Sequence, residues 1–241
     1  MTHARVVRLA VACLAGTAAT LVVAGSTSAD PSARHDFSAV ALAIPVTPGT
    51  NADENTTRIE TAGGHRPKIN TVATSSLNCD GCTAYSSTLH VVYAPRPDAV
   101  QADNVATAWA SGCAGCNGWA LSVQIVVARS AGSVTAANSA LAFTTGCTNC
   151  AVNAAAVQMV FVAPHERRLT SRQLDAIQAQ YRDYIKALGG AAAPNRARAQ
   201  AAPAARTNQA TTTITATTQR IRAAVAAELE ATYSKYTVKV R

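Results

Sequence analysis

Three Cys-x-x-Cys pairs stand in strict register along this chain: Cys79/Cys82, Cys113/Cys116 and Cys147/Cys150, with first and second cysteines both recurring every 34 residues. One such pair is a weak signal, but three at one period make an internal repeat. The rest of the unit repeats too. An asparagine stands nine residues before each first cysteine (Asn70, Asn104, Asn138), and a hydrogen-bonding side chain stands eleven after it (His90, Gln124, Gln158). The repeat constrains how the protein is built and stapled, not what it does.

Each unit has an arm on either side of its cysteines. The second arms, 89–93, 121–128 and 157–162, are apolar and β-branched, which predicts strands. The first arms put Asn and Ala at every second position (Asn104, Ala106, Ala108), and small or polar residues keep that alternation beyond the cysteines (Ala120, Ser122, Gln124). Period two on both sides of a short linker favours a β-hairpin with Cys-x-x-Cys in its turn. The expected class is α+β: three repeats forming β-hairpins in one sheet, followed by a docked amphipathic helix. The competing reading makes 98–111 and 135–145 alanine-rich helices, giving strand–helix repeats and a parallel sheet. A period of 34 also suits tetratricopeptide repeats, but their Trp/Leu/Gly/Tyr pattern is missing.

Around the repeats, 30–66 is rich in Pro, Thr, Asp, Asn and Gly and reads as an irregular lead-in with one edge strand near 39–46. The repeat domain spans 67–189 and ends in a helix over 170–188. Thr170 and Gln173 form its capping box, Gly189-Gly190 its stop, and Leu174, Ile177, Tyr181, Ile185 and Leu188 one apolar face. The composition of 190–219 predicts a disordered linker, and 220–241 a basic amphipathic helix and tail.

The compartment decides what the cysteines mean. Arg5 and Arg8 precede an apolar run over 9–25, followed by Ser26-Thr27-Ser28-Ala29. This predicts a signal peptide over 1–29 with cleavage before Asp30, and hence a secreted, extracytoplasmic protein. Cys13 lies within the run, too early for a lipoprotein cysteine. Six cysteines then remain in an oxidising setting, where an even number implies disulfides. Cys79, Cys82, Cys113, Cys116, Cys147 and Cys150 are the predicted bridge residues, each pair closing within its own motif. The intervening Asp-Gly, Ala-Gly and Thr-Asn are turn residues. The apolar content is largely alanine with 5% aromatics, so the core is thin and staples of ~2 kcal/mol each matter.

The formal charge of +8 is unevenly placed. From Asp30 to Gly190 there are 11 basic and 11 acidic residues. Beyond lie Arg196, Arg198, Arg206, Arg220, Arg222, Lys235, Lys239 and Arg241 against Glu228 and Glu230. These cations are the candidate contacts for an anionic surface.

Catalytic motifs fail on inspection. His165-Glu166-Arg167-Arg168-Leu169 begins like H-E-x-x-H but has Leu169 at the second ligand position, and no G-x-S-x-G or glycine-rich phosphate loop is present. Two Cys-x-x-Cys pairs could make a tetrahedral four-cysteine metal site, but three leave one over. A redox Cys-x-x-Cys needs a depressed thiol pKa, commonly at a helix N-terminus.

The pattern Asn-x-Ala-x-Ala, Cys-x-x-Cys, Ala-x-Ala-x-Gln-Ile-Val-Val, running into a Gln/Arg-rich helix, resembles a group of uncharacterised exported Cys-x-x-Cys repeat proteins of high-GC bacteria. The likeness covers roughly residues 70–188. Some such proteins carry the label of peptide zinc metalloprotease, which needs the H-E-x-x-H this chain lacks. The first unit departs from the pattern at Ser76, Ser86 and His90. The resemblance supports the repeat architecture and implies no activity.

The expectation is therefore an exported, non-enzymatic structural or interaction protein of the cell envelope. It needs no cofactor, metal, nucleic acid or small-molecule substrate, and contacts an anionic envelope surface or another protein. The alternative is an extracytoplasmic thiol–disulfide or metal-binding protein.

Overall fold

A computed structural model describes residues 36–192 and 203–241. The signal segment expected over 1–29 lies outside these residues, as do Arg196 and Arg198. Both arms of every repeat are strands: β3 (Lys68–Leu77) and β4 (Thr83–Ala94), β5 (Ala99–Ser111) and β6 (Asn117–Arg129), β7 (Ser133–Thr145) and β8 (Ala151–Ala163). They are preceded by β1 (Asp36–Ala43) and β2 (Asn51–Thr61), and followed by α1 (Ser171–Ala192), α2 (Pro203–Glu228) and β9 (Tyr233–Val240).

The two arms of a repeat do not pair with each other. β1, β3, β5 and β7 form one parallel sheet, and β2, β4, β6 and β8 form another, to whose edge β9 adds antiparallel. Each repeat is one coil of a β-solenoid, hydrogen-bonded to the next coil and closed across its interior by side chains. This corrects the hairpin expectation. Period-two alternation reports that a residue faces inward or outward, and is indifferent to whether the partner strand belongs to the same repeat or the next. The parallel pairing of the competing reading is present, without its alanine-rich helices.

The alanines have a geometric reason. Ala73, Ala106, Ala108, Ala120, Ala154 and Ala156 are buried together between the sheets, where a narrow interior admits only small side chains. The larger apolar residues lie elsewhere. Leu89, Val91, Leu121, Val123, Ile125, Val157, Met159 and Phe161 face outward from the second sheet and pack beneath Ile177, Tyr184 and Leu188 of α1 and Ile214, Ile221 and Val225 of α2. The second arms read as continuous apolar runs because both faces are buried, as parallel strands require.

At the start of α1 the capping box forms as expected: Gln173 N donates to Thr170 Oγ1 at 3.4 Å, and Thr170 N donates to Gln173 Oε1 at 2.7 Å. The helix runs past Gly189-Gly190 to Ala192. The lead-in, expected to be irregular, carries a further coil. Asp36 pairs with Lys68 and Asn51 with Thr83, a 32-residue step without cysteines that hides the coil from a search at 34. Much of the expected linker is α2, and the expected terminal helix stops at Glu228 and gives way to β9.

Candidate functional site

Two columns of side chains run along the solenoid axis. The first is the cysteines. Each Cys-x-x-Cys forms the corner where the chain leaves one sheet for the other, and the third residue is left-handed each time: Gly81 (φ 66), Gly115 (φ 69) and Asn149 (φ 55). Glycine and asparagine tolerate this conformation best, as the turn reading anticipated. The corners stack, with Gly81 N donating to Ala114 O at 2.7 Å and Gly115 N to Thr148 O at 2.8 Å. Gly49 (φ 73) continues the stack in the cysteine-free first coil, donating to Asp80 O at 2.8 Å.

Cys79–Cys82 and Cys113–Cys116 are bonded, with Cα atoms 5.6 and 6.4 Å apart, inside the span disulfides accept. Cys147 and Cys150, expected to close the third bridge, are half-buried thiols at the last coil. Cys147 Sγ lies 3.6 Å and Cys150 Sγ 3.8 Å from Cys113 Sγ, so sulfurs of neighbouring coils touch. Burial, then the adjacent Cys147 thiol, pushes the Cys150 thiol up from its ordinary value. The sulfurs face backbone carbonyls of the preceding coil: Cys82 to Thr47 O at 3.2 Å, Cys116 to Cys79 O at 3.2 Å and Cys150 to Cys113 O at 3.4 Å. Oxygen lone pairs disfavour a thiolate.

The second column is amide and hydroxyl. His90, Gln124 and Gln158 occupy one register position, as their spacing predicts. Gln158 Nε2 donates to Gln124 Oε1 at 2.8 Å, and Gln124 Nε2 to Thr71 Oγ1 at 2.9 Å. The Glu60 carboxylate at His90 Nε2 accepts, so in the neutral ring Nδ1 is the unprotonated nitrogen and accepts from the Thr71 hydroxyl, 2.9 Å away. The imidazole proton sits on Nε2, donated to Glu60 Oε1 at 2.7 Å. Four bonds thus run in one direction across the coils, ending at a carboxylate. Burial lowers the His90 pKa, opposed by the Glu60 hydrogen bond, so the ring is neutral at neutral pH.

The asparagine ladder is only partly formed. Asn104 pairs with Asn138, and its Nδ2 donates to Asn138 Oδ1 at 2.8 Å, but Thr71, not Asn70, stands opposite Asn104. Only Asn78 separates Leu77 from Cys79, whereas Ser111 and the left-handed Gly112 (φ 61) separate Ala110 from Cys113. That extra residue shifts the first unit by one and turns Asn70 to the other face.

The described part of the tail, α2 and β9, is folded against the solenoid. Arg206, Arg220 and Arg222 lie on α2, and Arg222 donates to Ser234 Oγ at 3.1 Å and sits over the Tyr236 ring. Lys235 and Lys239 are exposed on one face of β9, and the exposed Arg241 follows directly after its end. The His165–Leu169 stretch precedes α1 in an exposed connection, with only Leu169 buried. Sequence reasoning missed Glu60 and Thr71, whose partners are set by pairing between coils. It also missed the outward face of the first sheet, where Trp109 stacks on Phe143 with centroids 6.1 Å apart. The alternation around Trp109 and Phe143 was the available signal.

Among the described residues no helix is long and apolar enough to cross a membrane. The fold defines a disulfide-bearing β-solenoid with coils of about 34 residues. Comparison with protein-family models, with curated proteins and with solved structures finds no match to this chain.

Proposed function

We propose that this chain is an exported, non-enzymatic structural or interaction module of the cell envelope, held in shape by the bridges at its corners. The observation that carries the reading is the setting of the sulfurs. They sit at stacked turns against backbone carbonyls, not at a helix N-terminus, which is where an inert staple belongs and a catalytic thiolate does not. The polar column supports it as well, since its groups are spent on one another and on the backbone of neighbouring coils. Non-reducing peptide mapping of the exported protein tests the reading: crosslinks within motifs support it. Efficient disulfide-reductase activity, lost with Cys113→Ser/Cys116→Ser, overturns it.

The partner favoured by the charge distribution is an anionic surface. Lys235 and Lys239 on β9 and Arg241 just beyond it are exposed, and each Lys or Arg near an anionic membrane contributes ~1 kcal/mol. Truncation before α2 is the wrong test, because it would strip Ile214, Ile221 and Val225 from the core. Lys235→Ala/Lys239→Ala/Arg241→Ala keeps the cover in place. This variant should lose salt-sensitive co-sedimentation with anionic vesicles that the parent shows; equal sedimentation of the two rules the surface out.

A further inference from the structure

We propose that Cys113, Cys116, Cys147 and Cys150, when all four are reduced, form a tetrathiolate site for one thiophilic d10 cation of the Zn2+ or Cd2+ type. The site goes beyond the structural reading above and does not depend on it. In a tetrahedral zinc site with Zn–S near 2.3 Å, neighbouring sulfurs stand ~3.8 Å apart. The two inter-coil contacts of Cys113 Sγ already have that length, 3.6 Å to Cys147 and 3.8 Å to Cys150. The sulfurs of Cys113, Cys116 and Cys150 lie within 4.8 Å of one another, and Cys147, outside that trio but touching Cys113 Sγ, supplies the fourth ligand once the Cys113–Cys116 bond opens.

The geometry follows from the solenoid itself. Strands of adjacent coils are ~4.8 Å apart, so stacked corners bring two Cys-x-x-Cys pairs within one coordination sphere with no sequence signal beyond the repeat. The sequence objection that three pairs leave one over has a structural answer. Cys79–Cys82 packs on the cysteine-free first coil, its sulfurs against Pro45 O and Thr47 O, and remains a staple. The outer two pairs sit at the far end, where Cys147 and Cys150 are half-exposed and give an ion a way in, while Cys113 and Cys116 are buried.

Opening the site requires reduction of Cys113–Cys116. A dithiol reductant supplies two electrons and two protons, its own sulfurs closing to a disulfide as the two cysteine thiols form. Coordination then exchanges thiol protons for metal–sulfur bonds, the protons passing to solvent, and the Cys150 thiol gives up its contact with Cys113 O. Reoxidation by a disulfide would reverse the exchange and release the cation. The outer coils are then a clamp under reducing conditions and a staple under oxidising ones.

The test titrates Cd2+ into the full chain, anaerobically, after reduction with a phosphine. The expected result is a saturable sulfur-to-cadmium charge-transfer absorption at one Cd2+ per chain, with X-ray absorption reporting four sulfur ligands. Cys147→Ser/Cys150→Ser should abolish the band and Cys79→Ser/Cys82→Ser should keep it. Because a serine variant can fail to fold, the sulfur count on the reduced parent decides independently. No band from the reduced parent, fewer than four sulfurs, or a band surviving Cys147→Ser/Cys150→Ser would overturn the proposal. Peptide mapping of the untreated protein addresses the staple reading alone, so the two can fail separately.

Discussion

His90 occupies a position that its neighbouring coils fill with glutamine, and the difference makes stability depend on pH. The ring is fully buried and its pKa is lowered by that burial. Below the unfolded value of 6.5 the unfolded chain takes up a proton that the folded ring refuses, so stability falls as pH drops through that value. One unit below it, the loss relative to neutral pH reaches at most about 1.4 kcal/mol, the limit in which the folded ring takes up no proton. For a domain of this size that limit lowers Tm by ~3–6 °C. His90→Gln removes the titration and lets Gln124 Nε2 donate to an amide oxygen, as Gln158 does to Gln124. The assay is urea unfolding of parent and variant at pH 7.5 and 5.5, where subtracting the variant's change removes whatever part does not come from His90. Identical pH dependence in the two proteins would refute the reasoning, because the buried ring would then not be the group that titrates.

Three further outcomes follow from named contacts. Gly118→Ala places a Cβ 2.7 Å from Leu77 Cδ1 and 2.8 Å from the Ala84 carbonyl oxygen; since the backbone cannot yield as a side chain can, a loss of roughly 1–3 kcal/mol in chemical denaturation is expected. Asn104→Ala strips the donors from Asn138 Oδ1 and Val157 O and the acceptor from Ser122 Oγ, and should cost at least about 2 kcal/mol in the same measurement, against little for the half-exposed Asn70→Ala. Cys79→Ser with Cys82→Ser opens a four-residue loop and should lower stability by ~2 kcal/mol by calorimetry, with coil content unchanged by circular dichroism.

The sequence by itself determined the repeat, its period, the cysteine corners, the strand nature of the second arms and the capped helix after the last coil. These are local properties: Thr170 and Gln173 cap each other whatever lies nearby, and Gly81 or Asn149 favours a turn in any context. It also placed His90 in line with Gln124 and Gln158, because one period carries both arms. The tertiary structure alone decided how the arms pair. An inward–outward alternation is the same in a hairpin and in a coil, and only pairing between coils distinguishes them. The same pairing decided that Thr71 replaces Asn70 in the ladder, that Glu60 closes the hydrogen-bond chain, and that sulfurs 34 residues apart touch. It also turned a basic stretch read as linker and tail into α2 and β9. That stretch is weakly patterned, and its apolar positions gain a structure only when they meet the exposed face of the second sheet and the free edge of β8.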